Sequence, residues 1–252
     1  MKRPVEHEAQ GIFVAEGEKV VRRLLESKFP VVSALLPEKW LGEYEPLLRA
    51  RGEDIPVFVV EGKGVLEELV GFSMFQGVMA VGKIPAPVSL DDALARSANP
   101  RLFVAVDALT SAENLGVVVR NCVAFGVHAL LVGETCASPY LRRAVRNSMG
   151  TVFQLPVVEP PSLAIALHEL RKRSVRCVAA HPHATGRSLA EADLSGDCCI
   201  VVGSEGYGIS GPVLEACHEA VAIPMPPTVD SLNVGSATAV FLYEASRQRG
   251  KM

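Results

Sequence analysis

The run Leu102-Phe103-Val104-Ala105-Val106 constrains the fold most, because five consecutive apolar residues predict a strand that is buried on both faces. Similar runs predict further strands at 129–132, 152–155, 177–180, 198–202 and 221–223. Helical spacing lies between most of them, with helices predicted from Asn114 to Phe125, from Ser162 to Arg173 and from Ser231 to Arg247. Strands that alternate with helices predict a parallel-sheet α/β domain with crossover helices.

A change of composition separates this domain from the residues before it. The prolines of Lys83-Ile84-Pro85-Ala86-Pro87 cannot continue a central strand, because proline lacks the N–H that a sheet requires. Ser89 then predicts the start of a short helix that ends before Asn99-Pro100. We therefore predict a first domain at residues 1–83, a linker at 84–100 and a second domain at 101–252.

The first 83 residues also alternate between strand and helix patterns. Strands are predicted at 12–14, 31–36, 57–60 and 78–81, and a helix from Lys19 to Ser27 carries its apolar residues on one side. This pattern is typical of a small α/β domain.

Composition limits the classes of function. Of 252 residues, 49% are hydrophobic, which is enough for a sizeable core. Aromatic residues make up only 6%, which disfavours a single-strand binder that works mainly by stacking bases. The net charge of −3 does not exclude nucleic acid, because one basic face is sufficient. With no apolar run long enough to span a bilayer and no signal-peptide core at Met1 to Glu8, we expect a cytoplasmic protein without a membrane partner.

The first candidate loop follows the strand at 102–106. Asn114 is a predicted N-cap, and Arg120 lies six residues further on, among valines and a cysteine. An arginine in an apolar helix needs an acidic or phosphate partner. On its own, this pattern also fits a helix cap with a structural ion pair.

The second candidate loop is Gly203-Ser204-Glu205-Gly206-Tyr207-Gly208. Its glycines allow tight turns and close approach of the backbone to a ligand. The spacing differs from the dinucleotide pattern G-x-G-x-x-G, and Glu205 would repel a pyrophosphate. A cationic or neutral ligand, such as a sulfonium cofactor, is therefore favoured.

The third candidate loop is rich in proline and runs from Ile223 into the last predicted helix. Ser231 is a predicted N-cap, and the small residues Gly235, Ser236 and Ala237 permit close packing. A rigid connection between strand and helix explains this segment equally well.

Together the three loops resemble the three motifs of the SpoU/TrmH family, within the SPOUT class of RNA methyltransferases. The match consists of N-x-G-x-x-x-R from Asn114 to Arg120, G-S-E-G-x-G from Gly203, and I-P-M followed by S-L-N from Ile223 to Asn233. The resemblance covers residues 101–248. The segments 11–17 and 76–80 resemble the small substrate-binding domain that often precedes this catalytic domain and is thought to grip RNA.

The resemblance implies a trefoil-knot (SPOUT) fold for the second domain and S-adenosylmethionine as cofactor. Backbone groups would hold the cofactor, and the residues implied are Val202, Gly203, Ile223, Met225 and Leu232. The resemblance also implies a homodimer with the last helix at its interface. The residues available there are Val234, Ala237, Thr238, Phe241 and Leu242.

The implied reaction is attack of a ribose 2′-oxygen of rRNA or tRNA on the cofactor methyl carbon. The resemblance gives Arg120 the central role, and a fixed cation beside the developing oxyanion is physically easier than proton abstraction by an arginine. Asn114, Glu205, Ser231 and Asn233 would orient Arg120 and the substrate.

Three arginines, Arg142, Arg143 and Arg146, are candidates for phosphate contacts, although a solvated helix face is equally compatible. His181-Pro182-His183 lacks a recognisable third ligand nearby, so we expect no metal site.

Three other functions remain open: a base methyltransferase of the same class, a non-catalytic RNA-binding or ribosome-assembly protein with the same fold, and a nicotinamide enzyme. Two departures from the family pattern leave the target RNA open: Ser111-Ala112 replaces aspartate-proline, and the short start contains Glu6 and Glu8.

Overall fold

The structure, a computed structural model, describes residues 7, 9–61, 64, 77–184 and 187–250. In chain order its strands and helices are β1 (Ile12–Glu16), α1 (Glu18–Glu26), β2 (Val31–Pro37), α2 (Leu41–Ala50), β3 (Val57–Val60), β4 (Met79–Lys83), α3 (Leu90–Arg96), β5 (Leu102–Val106), α4 (Ala112–Ala124), β6 (Ala129–Val132), α5 (Arg142–Asn147), β7 (Val157–Val158), α6 (Leu163–Lys172), β8 (Arg176–Ala180), β9 (Cys198–Val202), α7 (Gly211–Ala216), β10 (Glu219–Val221) and α8 (Val234–Gln248). None of the helices in the described ranges is long and apolar enough to cross a membrane.

The chain forms two compact units. One contains Met1–Ala86 with Pro139–Gln154, and the other contains Pro87–Ser138 with Leu155–Met252. The segment Pro139–Gln154, which we predicted within the second domain, thus belongs to the first unit. The reason is aromatic packing, because Tyr140 and Phe153 lie against the ring of Phe13, with centroids 5.9 and 5.4 Å away.

The first unit is built on a four-stranded mixed sheet in the order β1-β4-β2-β3. β4 is antiparallel to both of its neighbours, and β2 and β3 are parallel. The predicted strands and the helix are present with small shifts at their ends, and α1 buries its apolar side as expected. The second of the two segments that resemble a substrate-binding domain begins at Gln76, which lies outside the described residues.

The second unit is built on a six-stranded parallel sheet in the order β10-β8-β9-β5-β6-β7. β5 lies inside the sheet, and all five of its residues are buried, as its continuous apolar run predicts. The loops that follow β5, β9 and β10 leave from the carboxyl edge of this sheet, which is where ligands of parallel α/β sheets bind.

Three local predictions were wrong. Residues 151–154 form a 3₁₀ turn, and the strand is Val157–Val158, because Gly150 adopts a φ of +77° and turns the chain before it. Ser111, not Asn114, is the N-cap of α4, since its hydroxyl accepts a hydrogen bond from the Asn114 amide. Asn233, not Ser231, is the N-cap of α8.

The residues expected at a dimer interface also need correction. Val234, Thr238, Phe241 and Leu242 are buried, and Ala237 is half-buried. Helix α8 packs this side against its own unit, so these side chains belong to the core of the protomer. The exposed positions of α8 form a different stripe, which includes Ser236, Val240 and Tyr243.

Candidate functional site

A cavity of about 350 Å³ lies at the carboxyl edge of the parallel sheet. It lies entirely within the second unit, and the loops that follow β9 and β10 form much of its wall. All five predicted cofactor residues line it, namely Val202, Gly203, Ile223, Met225 and Leu232. Glu205 and Ser231 line it as well. The second and third candidate loops therefore share one cavity.

The cavity has an apolar base and a polar mouth. Val221, Val234 and Phe241 are buried and line it, whereas Glu205, Asp230 and Ser231 are exposed to solvent. This combination suits a ligand with one apolar end and one polar or positively charged end.

Gly203 has a steric role in the wall of the cavity. A Cβ atom at this position would lie 2.2 Å from the carbonyl carbon and oxygen of Gly208, which no real contact allows. The amides of Ser204 and Gly208 each donate a hydrogen bond of 3.0 Å to the other's carbonyl oxygen. Glycine at 203 therefore permits this tight loop, which lines the cavity.

Asn114, Glu205 and Asn233 form a hydrogen-bonded triangle, and each comes from a different candidate loop. Asn114 Nδ2 donates to Glu205 Oε2 at 2.9 Å, and Asn233 Nδ2 donates to Asn114 Oδ1 at 3.1 Å. Asn233 Nδ2 also donates to Glu205 Oε1. The sequence motifs, which lie more than 100 residues apart at the extremes, are thus brought together by side-chain contacts.

The amide orientations within the triangle are mutually consistent. Asn233 Oδ1 accepts a hydrogen bond of 2.9 Å from the Gly235 amide as the N-cap of α8. This use of the oxygen directs the Asn233 amide nitrogen toward its two acceptors. Asn114 Oδ1 is then occupied, so its amide nitrogen faces the carboxylate of Glu205.

Close contact between α4 and α8 holds the helix start that carries Asn233. A Cβ at Gly235 would lie 2.5 Å from Val117 Cγ1, so glycine is needed for the two helices to approach. Asn121 Nδ2 donates to the carbonyl oxygen of Gly235 at 2.7 Å. These contacts fix the start of α8, and with it Asn233.

Asp107 is a site residue that the sequence analysis missed. It follows β5 directly, is buried, and accepts a hydrogen bond of 2.7 Å from the Ser210 amide through Oδ2. Its own amide donates to the Val202 carbonyl at 2.9 Å. Asp107 therefore ties the first loop to the end of the glycine loop. A carboxylate directly after a buried strand was the available signal.

Arg120 and Ser231 stand apart from the triangle. The Arg120 side chain is exposed on α4, and within the described ranges no group hydrogen-bonds or ion-pairs with it. Ser231 lines the cavity, but no hydrogen bond between described residues joins it to the triangle. The acidic partner that the sequence analysis required for Arg120 is thus not provided by the described part of this chain.

The three candidate arginines lie on or beside α5, in the first unit. Arg142 and Arg146 face the buried carboxylate of Glu16, with N–O distances of 3.7 and 3.8 Å. The Glu16 side chain is only 1% exposed, and its oxygens accept no hydrogen bond from the described residues. The two arginines therefore compensate a buried negative charge, and sequence reasoning missed Glu16 as their partner.

Burial disfavours the reactive thiolate form of the cysteines that it surrounds. Five of the six are buried, and burial raises the pKa of Cys198 to about 11 and that of Cys217 to about 12. His181 and His183 line the cavity, but no group of three or more metal-ligand side chains occurs within the described ranges.

A parallel α/β sheet with a cavity and an amide–carboxylate triangle at its carboxyl edge defines the class of α/β proteins that bind a ligand at this edge. A family model described as the SpoU rRNA methylase family matches residues 101–243. The chain belongs to this family of RNA methyltransferases. The resemblance found in the sequence is confirmed, and the nicotinamide alternative no longer stands.

Individual proteins agree with this assignment over most of both chains. A tRNA/rRNA methyltransferase of Mycobacterium tuberculosis, described as uncharacterized, is 31% identical over 98% of this chain and 84% of its own length. The SpoU methyltransferase AviRb of Streptomyces viridochromogenes is 28% identical with a TM-score of 0.83, covering 98% of this chain and 93% of its own. A structure described as an RNA 2′-O ribose methyltransferase is 30% identical with a TM-score of 0.76, covering 96% of this chain and 91% of its own.

Proposed function

We propose that this protein transfers a methyl group from S-adenosylmethionine to a ribose 2′-hydroxyl of rRNA or tRNA. The observation that carries the proposal is the triangle of Asn114, Glu205 and Asn233 at a cavity lined by all five predicted cofactor residues. Among similar structures, AviRb is described in complex with AdoMet, and another is described as an RNA 2′-O ribose methyltransferase.

The cavity fits this cofactor. Gly203 leaves backbone donors and acceptors unobstructed, and Phe241 and Val221 give an apolar base for a flat ring. The carboxylates of Glu205 and Asp230 at the mouth favour the positive charge of a sulfonium. When bound, the cofactor supplies an electrophilic methyl group. Val202, Gly203, Ile223, Met225 and Leu232 are the residues that we propose to hold it.

The residues of the triangle position the substrate. Because Glu205 accepts hydrogen bonds from both amides, its carboxylate is held in one orientation, and a ribose hydroxyl can use its remaining lone pairs. Fixing a reacting hydroxyl in this way supplies rate through proximity and alignment. Ser231, on the same rim, offers a further hydroxyl for this purpose.

Arg120 is the candidate for electrostatic stabilisation. Its guanidinium is exposed and carries no ion pair with any described residue, so its charge is available to a phosphate or to the developing oxyanion. We expect Arg120→Ala to abolish methyl transfer while S-adenosylhomocysteine still binds. Near wild-type transfer by this variant would contradict the role.

A homodimer through α8 is part of the proposal. Ser236, Val240, Tyr243 and Arg247 are exposed at a spacing of four, three and four residues, which places them along one stripe. Val240 and Tyr243, which are 38% and 51% exposed, give this stripe an apolar and an aromatic side chain that a second copy of the chain could cover. We also propose that the protein acts in the cytoplasm, where its RNA substrates are made.

The function is tested with the full-length protein, labelled S-adenosylmethionine and total RNA of the host that lacks this gene. We expect S-adenosylhomocysteine to bind and label to enter RNA with the wild-type chain but not with Glu205→Gln. Cofactor binding without any transfer would support the non-catalytic RNA-binding alternative instead.

A further inference from the structure

Tyr207 lines the cavity and is 96% exposed, the highest value among the exposed large hydrophobic side chains described. Its neighbours in the loop do not cover it, because Gly206 and Gly208 have no side chains. Tyrosine is enriched at interfaces, because its ring gives a large apolar face and its hydroxyl tolerates water.

The backbone under this ring is fixed. The Tyr207 amide donates to Ser204 Oγ at 3.1 Å, and the reciprocal hydrogen bonds of Ser204 and Gly208 close the turn. Gly208 adopts a φ of +70°, which suits glycine. The turn therefore holds the backbone that carries the ring, while the ring itself faces solvent and is accessible to a flat ligand.

The chemistry of ribose places a flat group at this rim, given the proposed function. The nucleophilic 2′-oxygen is bonded to C2′, and the base is bonded to the adjacent carbon, C1′. When the 2′-oxygen reaches the cavity, the base of the same nucleotide must lie at its mouth. RNA is recognised mainly in single-stranded loops and ends, where an unstacked base offers a flat face to an aromatic side chain.

The charge of the rim favours a base over a phosphate. Glu205 and Asp230 line the same cavity as Tyr207, and their carboxylates repel a phosphodiester. The other Phe or Tyr ring that lines the cavity among the described residues, Phe241, is 1% exposed and belongs to the apolar base rather than to the rim.

We infer that Tyr207 is a substrate-binding residue that stacks against the unpaired base of the nucleotide to be methylated. The ring gives a stacking partner to a base that lacks one in a single-stranded segment, and it orients the ribose toward the triangle. Stacking on a phenol ring accepts every base, so Tyr207 contributes affinity and alignment more than base identity.

Kinetics with total RNA from the gene-deleted host tests the inference through three variants. Tyr207→Ala is expected to raise KM for RNA about tenfold or more. Tyr207→Phe keeps the ring and should stay within about twofold of wild type, whereas Tyr207→Leu keeps apolar bulk without a flat face and should resemble Tyr207→Ala. If Tyr207→Phe is as impaired as Tyr207→Ala, the hydroxyl matters and stacking is wrong.

Cofactor binding and oligomeric state are measured on the same variants. The inference requires unchanged S-adenosylhomocysteine affinity and unchanged mass in solution. Weaker binding of S-adenosylhomocysteine would make Tyr207 a cover for the cofactor, and dissociation of a dimer would make it an interface residue. Either result overturns the inference.

A fluorescence measurement separates this inference from the proposed function. Trp40 is the one tryptophan of the chain, so Trp40→Phe with Tyr207→Trp leaves a single reporter at the rim. Quenching on addition of RNA, but not of S-adenosylhomocysteine alone, is expected even if no methyl transfer occurs. No quenching by RNA overturns the inference, whereas missing transfer with quenching counts against the proposed function alone.

Discussion

Asn114 donates a hydrogen bond from Nδ2 to Glu205 Oε2 at 2.9 Å, and this contact joins the helix after β5 to the glycine loop after β9. The two residues are 91 positions apart in the chain. Both lie at the carboxyl edge of the sheet because β5 and β9 are parallel neighbours. Asn233 completes the arrangement from the loop after β10.

Asn233 has two functions that substitutions can separate. Asn233→Asp keeps the oxygen that caps α8 but replaces the donor to Glu205 with a repelling carboxylate. We expect the α8 cap to be kept, so that any loss of thermal stability comes only from repulsion with Glu205, and we expect kcat to fall about 10²-fold, since the triangle loses its alignment.

Asn233→Ala is the matched control, because it removes both the cap and the donor. It should lose the same activity and, in addition, about 1 kcal/mol of stability. Thermal unfolding and steady-state methyl transfer measure the two effects. Full activity in Asn233→Asp would show that the amide donor is not needed.

Gly203→Ala is expected to weaken cofactor binding. The added methyl would lie 2.2 Å from the Gly208 carbonyl, so the loop must open and its backbone groups must move. We expect a loss of at least about tenfold in S-adenosylhomocysteine affinity, measured by calorimetry.

Gly211→Ala provides the control for this prediction. Gly211 is the first residue of α7, and a Cβ there meets nothing within 4 Å. Affinity should stay unchanged in this variant. Equal affinities for Gly203→Ala and wild type would show that the close approach of Gly203 to the Gly208 carbonyl is not required for cofactor binding.

The sheet could be predicted from sequence because its strands are continuous apolar runs. The loops were harder. Ser111 and Asn114 are both good N-caps three residues apart, as are Ser231 and Asn233 within two residues, and local preference does not choose between such neighbours. The side-chain contacts with other loops could not be read from the local sequence. Asn114 donates to Glu205, and Asn233 donates to both Asn114 and Glu205.

Nothing in the local sequence of Pro139–Gln154 indicated that this segment belongs to the first unit. Phe153 is apolar because it packs on Phe13, more than a hundred residues earlier, and the same apolarity suggested a strand. The pairing of Glu16 with Arg142 is of the same kind, since neither residue alone indicates its partner. The trefoil knot implied by the family resemblance stays a prediction for this chain.

Arg249 is expected to contribute strongly to stability. Its guanidinium donates to the carbonyl oxygens of Leu194, Pro100, Arg101 and Gly196 at 2.6–3.1 Å, and it also reaches Cys198 Sγ. Arg249→Ala leaves these acceptors without their donor, so we expect a loss of about 3 kcal/mol in the free energy of unfolding.

Lys172→Ala is the comparison for Arg249. Lys172 is 71% exposed and pairs with Glu169 three residues away. Such a surface pair contributes less than about 1 kcal/mol. Urea unfolding measures both variants, and similar small losses would mean that the contacts of Arg249 add little.

The arginines of α5 retain a proposed role in RNA binding. Arg146 pairs with Glu16, yet its side chain is 54% exposed, so part of its charge still faces solvent. Replacing Arg142, Arg143 and Arg146 with alanine should weaken RNA binding and flatten its dependence on salt concentration.

Arg49→Ala is the control for these arginines, because Arg49 is a surface arginine of the same unit that pairs with Glu45. Its salt dependence should equal that of wild type. If the triple variant also keeps the wild-type slope, the three arginines do not contact phosphates. Circular dichroism then shows whether loss of the Glu16 pair disturbs the fold.

The central claim is that the triangle directs methylation to ribose. The most direct measurement is mass spectrometry of nucleosides from host RNA treated with the protein and S-adenosylmethionine. We predict a 2′-O-methylated nucleoside that appears with wild-type protein and is lost with Glu205→Gln. A methylated base on an unmodified ribose would contradict the claim.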